Sequence, residues 1–239
     1  AAPSVTNEPQ NSEDDSKKVT SIAWSGDGRK YVFLQKGEKL VDNQNRGSED
    51  NEVHISHFDL QFVDVQYEDG SEKKFKYAEN ASYDFSQINY EKLGIYNLKI
   101  TWKQCSCEVP VVISEERQEG LFTYYTDGTV AELTKMRGDI PSDDEWEDDE
   151  YSGTTLTLPE TLGGAKVVQG TPNYKFSCDN IEKIEFPRYY SESKEAISRC
   201  YCGGNLKEVI INNPDSGYIV KDGVLFADNG KVLCLYPAG

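Results

Sequence analysis

The residues able to do chemistry in this chain are few. Six cysteines stand at positions 105, 107, 178, 200, 202 and 234 of 239 residues. Cys105/Cys107 and Cys200/Cys202 are Cys-x-Cys pairs, and no Cys-x-x-Cys occurs. Structural zinc is ordinarily held by close ligand pairs spaced Cys-x₂₋₄-Cys or His-x₃₋₅-His, so four thiolates would gather here only if two distant segments met. The reading adopted is thiols packed as small apolar groups. Disulfides stay open, because six cysteines allow 15 pairings. The histidines are two, His54 and His57. A Ser-His-Asp or Cys-His centre would have to use one of them. They stand in the polar stretch Glu49-Asp50-Asn51-Glu52-Val53-His54-Ile55-Ser56-His57, and the chain lacks a Gly-x-Ser-x-Gly nucleophile turn. They read as loop or strand-edge histidines.

Carboxylates are abundant but unarranged. Asp143-Asp144-Glu145-Trp146-Glu147-Asp148-Asp149-Glu150 packs seven of them around one Trp. A Ca²⁺ loop needs fixed spacings, and D-x-[DN]-x-[DN]-G-x₅-E is absent. No constellation singles out two carboxylates for glycosidase chemistry. The run reads as a solvated insertion in which Trp146, Asp148 and Asp149 would meet a basic partner. Tyr124-Tyr125 and Tyr189-Tyr190 offer aromatic contact area at small entropic cost; one ring of each pair is expected in the core, and Tyr124, Tyr189 and Tyr190 are taken as partner-binding residues. No catalytic, cofactor-binding or metal-ligating residue is assigned, and no enzyme activity is expected. The formal charge, 25 basic against 42 acidic side chains or −17, repels phosphate backbones and anionic lipid, which excludes nucleic-acid binding and membrane docking.

What must position these groups is β structure. Residues 1–17 are polar and aperiodic and read as a flexible leader, whose start (Ala1-Ala2-Pro3-Ser4) suits a mature chain with its signal removed. From Lys18 to Ser114 short β-rich runs alternate with turn clusters: Val19–Trp24, Tyr31–Leu34, Phe58–Phe62, Val63–Tyr67, Lys74–Tyr77, Tyr96–Trp102 and Cys105–Ile113. Glu68-Asp69-Gly70-Ser71 is a hairpin turn. The parity change between Phe62 and Val63 predicts a bulge or a crossing between sheets. Cys105 and Cys107 share parity with Val109, Val111 and Ile113, so both thiols should point into the core. Short strands at this density predict a β-sandwich. Ser114–Gly120 reads as a short polar link. Phe122–Leu133 reads as a hairpin around Asp127-Gly128 that caps the open apolar end of the chain's second half.

The second half repeats itself. Leu156-x-Leu158-Pro159 recurs as Ile184-x-Phe186-Pro187, Val209-x-Ile211 and Leu233-x-Leu235-x-Pro237, at intervals of 28, 25 and 24 residues. Cys178 precedes Ile181 and Ile184, and Cys202 precedes Leu206 and Val209. This L-x-x-L-x-L grammar with a cysteine at the corner is that of a leucine-rich repeat, whose units bury their apolar faces only by stacking.

Two family resemblances rest on these residues. Gly37–Leu40, Phe58–Leu60, Val63-Asp64-Val65-Gln66-Tyr67-Glu68-Asp69-Gly70-Ser71, Tyr83–Ser86, Leu93–Tyr96 and Val109–Ile113 resemble the bacterial Ig-like domain, apart from the 41–57 insertion and the Cys105/Cys107 pair. Residues 150–239, above all Tyr218-Ile219-Val220-Lys221-Asp222-Gly223-Val224-Leu225-Phe226 through Leu233-Cys234-Leu235-Tyr236-Pro237, resemble the BspA-like leucine-rich repeats of gut and oral bacterial surface proteins. The units depart from that grammar at Phe176-Ser177-Cys178 and around Cys200-Tyr201-Cys202. The resemblances imply a mainly β chain. An Ig-like β-sandwich at 18–115 would be followed by a short, β-rich leucine-rich-repeat solenoid at 120–239. They imply an extracellular or cell-surface protein that binds a protein of a host or neighbouring cell through the repeat surface. Carbohydrate binding or scaffolding within a larger polysaccharide-handling protein is the alternative.

Overall fold

A computed structural model describes residues 17–26, 29–42, 50–76, 81–138, 149–170, 173–177, 180–188, 205–211, 218–222, 224–227, 230 and 232–235. Regular structure among them is β throughout, save one 3-10 turn, Ile55–Phe58. The chain is therefore mainly β, as the short alternating runs predict. No helix among the described residues is long and apolar enough to cross a membrane. The first strands are β1 (Val19–Trp24), β2 (Val32–Gln35), β3 (Lys39–Val41), β4 (Glu52–His54), β5 (Phe62–Tyr67), β6 (Glu72–Lys76), β7 (Ser82–Asp84), β8 (Gly94–Trp102) and β9 (Cys105–Glu119). Then come β10 (Phe122–Thr126), β11 (Val130–Arg137), β12 (Asp149–Glu150), β13 (Thr155–Thr157), β14 (Thr161–Leu162), β15 (Ala165–Gln169) and β16 (Asn173–Ser177). The last are β17 (Lys183–Phe186), β18 (Glu208–Ile211), β19 (Ile219–Lys221), β20 (Val224–Ala227) and β21 (Val232–Leu235). They fall into two compact units. One is drawn from Ala1–Gly26, Gly37–Asn89 and Tyr96–Val111, the other from Asp27–Lys36, Tyr90–Ile95 and Val112–Gly239.

In the first unit β1, β5 and β6 form an antiparallel sheet, with Ile22 opposite Val65 and Trp24 opposite Val63. Period-two alternation buries Val63, Val65 and Tyr67 and leaves Asp64 and Gln66 outside. The hairpin turn lies where the Asp-Gly signal puts it: Gly70 has φ 79, a conformation open to a residue without Cβ. Lys17 Nζ lies 2.6 Å from Asp69 Oδ2. That ammonium, with Ser71 donating its hydroxyl and N–H, holds the Asp69 carboxyl well below the usual carboxylate range. A second antiparallel pairing joins β7 to β8, and β8 neighbours β9. Leu98, Ile100, Trp102, Val109 and Val111 are buried there.

Three expectations change. Phe58–Phe62 is not one strand. Ile55–Phe58 is the 3-10 turn, Asp59 closes it at φ 54, and Leu60 donates its N–H back to the Ile55 carbonyl. The parity change thus comes from a turn that enters β5, not from a bulge within it, and Leu60 is fully buried. Ser114–Glu119 is not a link either, since β9 runs unbroken over 15 residues and the division between units falls inside it. Its outer half alternates too few apolar residues to advertise a strand, because β10 supplies the pairing: Glu119 opposite Phe122, Arg117 opposite Tyr124. Cys105 and Cys107 are only half-buried, whereas Val109, Val111 and Ile113 are fully covered.

The second unit continues from β9 through the hairpin β10–β11. Asp127 Oδ1 accepts the N–H groups of Thr129 and Val130 at 2.9 and 3.0 Å, and Gly128 has φ 97. This is Asx-type turn chemistry. Strand β2 joins β9, with Val32, Phe33 and Leu34 all buried. On its other edge β11 pairs in parallel: first with β15 (Ala131 opposite Val167), then with β16 (Met136 opposite Tyr174). Gly170 sits at the change of partner. A Cβ there would lie 2.1 Å from the Leu133 carbonyl oxygen, at φ 148. Strands β14 and β15 close a two-residue hairpin at Gly163-Gly164, with φ 56 and 83, the signature of a type I′ turn. Strands β13, β17 and β18 form a parallel ladder, Leu156–Ile184–Val209 in one row and Phe186–Ile211 in the next. Their apolar side chains enter a core with Leu158, Ile181, Leu206, Leu133 and Met136. Burying a large apolar side chain contributes roughly 1.5–3 kcal/mol.

The fourth apolar pair behaves differently. Strands β19, β20 and β21 are antiparallel, with Ile219 opposite Phe226 and Phe226 opposite Leu233. Leu233 and Leu235 therefore do not extend the ladder, and Leu233 is 57% exposed. Leu225, on the other parity of β20, is fully buried and enters the core.

Candidate binding surface

The ladder has two faces. Because partners in a parallel sheet point the same way and alternate along each strand, burial of Leu156, Ile184, Val209 and Phe186 turns the intervening residues outward. These are Thr155 and Thr157, Lys183 and Glu185, Glu208 and Ile210. They line up in two rows: Thr155–Lys183–Glu208 and Thr157–Glu185–Ile210. Lys183 Nζ lies 2.8 Å from Glu185 Oε1 and 3.6 Å from Glu208 Oε2. Thr157 donates its hydroxyl to Glu185 Oε2 at 3.3 Å. At the rim Lys207 pairs with Glu182 at 2.8 Å. The hydrogen bond to Glu185 raises the Lys183 pKa, and the same bond lowers that of Glu185. Both groups are charged across the neutral range, so the face carries three carboxylates (Glu182, Glu185, Glu208) against two ammonium groups. Such a surface displays charged and hydroxyl groups to solvent.

The repeat residues named from sequence occupy these places. Leu156, Leu158, Ile184, Phe186, Leu206 and Val209 are at most 2% exposed, and Ile211 packs against them. Leu235 lies on β21. Cys178 and Cys202, whose corner role defined the repeat, lie outside the described residues, as do Tyr189, Tyr190, Trp146 and Asp148. Asp149 lies on β12, which pairs in parallel with β16.

Tyr124 is corrected from a displayed ring to a core one. It is 2% exposed, and burial pushes its phenol pKa up, with Glu119 adding to the shift and Arg117 opposing it. The strand alternation that exposes Tyr125 by half is what buries Tyr124. Tyr125 accepts a hydrogen bond from Gln35 Nε2 at 2.9 Å. The outward residues Thr157, Glu185 and Ile210 escaped the sequence reading, although their signal was present as the middle position of each apolar-x-apolar pair, as did Glu208, which precedes the third pair.

The thiols are placed only in part. Cys105 and Cys107 are free, and Cys105 donates weakly to the Val19 carbonyl at 3.8 Å. Burial raises the Cys107 pKa, against a lowering by the Trp24 backbone N–H, which disfavours the reactive thiolate. Comparison with protein-family models finds no match, and comparison with curated proteins finds none either.

Proposed function

We propose that this chain is a non-catalytic binding protein of the bacterial cell surface or exterior that engages a protein partner through its repeat surface. In this reading residues 120–239 are a short leucine-rich-repeat solenoid of the BspA-like kind, and residues 18–115 an Ig-like module that presents it. One observation carries the proposal: three apolar-x-apolar segments 28 and 25 residues apart pair in parallel, in register, with their apolar residues inward. Stacked units of that length are what a solenoid requires. The stacking leaves an outward row of charged and hydroxyl side chains to meet a partner. The carboxylate excess of that face, within a chain of net charge −17, favours a partner with a basic contact surface.

The test is a screen of extracellular-matrix proteins and a glycan array with the intact chain and with Glu185→Lys/Glu208→Lys. Protein binding that falls by about tenfold or more in the double variant, at unchanged thermal stability, is the expected result. Binding to glycans alone would replace this reading with the carbohydrate-binding one.

A further inference from the structure

Among the described residues four large apolar side chains stand exposed: Ile95, Ile219, Val220 and Leu233. Three of the four belong to the antiparallel sheet β19–β20–β21. Phe226, half-buried, has Ile219 opposite it on one side and Leu233 on the other, so the three side chains form one row across the sheet. Leu225 next to it points the other way, into the core that also takes Leu156, Ile184 and Val209. The row therefore faces away from that core. Single exposed apolar residues are ordinary, whereas a contiguous group of them marks a contact surface.

Charge and area say what the row fits. Strand β18 lies beside β19 and β20, and its outward residues are Glu208 and Ile210. Lys183 stands 2.8 Å from Glu185 and 3.6 Å from Glu208, which leaves Glu208 the less neutralised of the two carboxylates. Lys221 and Asp222, both exposed where β19 ends, offset each other. The row thus borders a net negative charge. Its strands are three or four residues long, so the face measures roughly 10 by 13 Å. A stable protein dimer covers about 800 Å² on each partner. The face is too small for a second copy and suits a short segment.

We propose that Ile219, Phe226 and Leu233 form the apolar anchor point of the partner surface. They take a short partner segment that is apolar in its middle and carries Lys or Arg at its ends, one cation meeting Glu208. Protein interfaces hold an apolar centre within a polar rim, and a few residues of the centre carry most of the affinity. Exposed ion pairs such as those of the ladder contribute little by themselves. They serve as the rim, and the row supplies the centre that the ladder face lacks. This inference rests on the partner-binding reading of the ladder and names the chemistry of the partner.

The experiment measures fluorescence anisotropy of three labelled, end-capped peptides, Lys-Leu-Leu-Leu-Lys, Lys-Ser-Ser-Ser-Lys and Glu-Leu-Leu-Leu-Glu, titrated with the intact chain. The first should bind about fivefold or more tighter than either of the others, since it alone offers both the apolar centre and the cations. Ile219→Ser/Leu233→Ser, which leaves the charge unchanged and touches only exposed positions, should abolish its advantage over the serine peptide at an unchanged thermal midpoint. Glu208→Gln should weaken it and flatten its salt dependence. Equal binding of the leucine and serine peptides, or full binding by the double serine variant, would overturn the proposal. So would self-association of the chain in sedimentation that the same variant removes, which would assign the row to a second copy. The matrix-protein screen separates the two readings. Binding there that needs Glu185 and Glu208 but not Ile219 and Leu233 refutes the anchor and leaves the partner role standing. No matrix protein bound at all refutes that role, while the peptides still decide the anchor.

Discussion

In the ladder β13–β17–β18, Leu156, Ile184 and Val209 pair side by side and are at most 1% exposed. In the sheet β19–β20–β21, the same apolar-x-apolar spacing leaves Leu233 57% exposed, opposite Phe226. Chain length between strands accounts for the difference. Parallel neighbours need a crossover of about a dozen residues or more, and the 25- and 28-residue intervals of the ladder supply it. Between Ala227 and Val232, or between Lys221 and Val224, the chain is too short for any crossover, so the strands must turn back on themselves. Asp222, at φ 52, marks one such reversal. Apolar alternation thus selects a face, while the intervening length selects the partner strand.

Substitutions sharpen that contrast. Phe186→Ala, in the ladder's inner row, should destabilise the chain by about 3–5 kcal/mol, the range for an aromatic removed from a closed core. A shifted midpoint in urea at unchanged slope is the measurement. Gly170→Ala tests the other parallel stretch, where β11 changes partner and two backbones touch. The new Cβ would run into the Leu133 backbone, and a cost of about 1–3 kcal/mol is expected. A stability equal to wild type would show that this close approach is not required. Leu233→Ala should cost less than about 0.5 kcal/mol, as exposed positions do. A loss as large as that of Phe186→Ala would mean that β21 is as enclosed as the ladder, and would erase the distinction.

Much of this was legible in the residues. Asp69-Gly70 and Asp127-Gly128 announced their hairpins because few residues adopt positive φ. Leu156, Ile184 and Val209 announced a shared face because the pattern recurs at near-constant interval. Phe58–Phe62 misled because apolar residues in a tight turn copy strand alternation over so short a run. Ser114–Glu119 misled in the opposite direction, since a polar strand held by its neighbours has no apolar period to show. Tyr124 and Tyr125 are adjacent and chemically identical, so only the direction of β10 tells the core ring from the half-exposed one.

Composition and pattern by themselves determined that the chain is mainly β, strongly acidic and repetitive in its second half, because alternation, charge and recurrence are local properties of the residues. The tertiary structure alone decided which strands are parallel, that β9 runs through the supposed link, and that Tyr124 rather than Tyr125 enters the core. Those outcomes depend on backbone pairing between strands, which no single segment carries in its own residues.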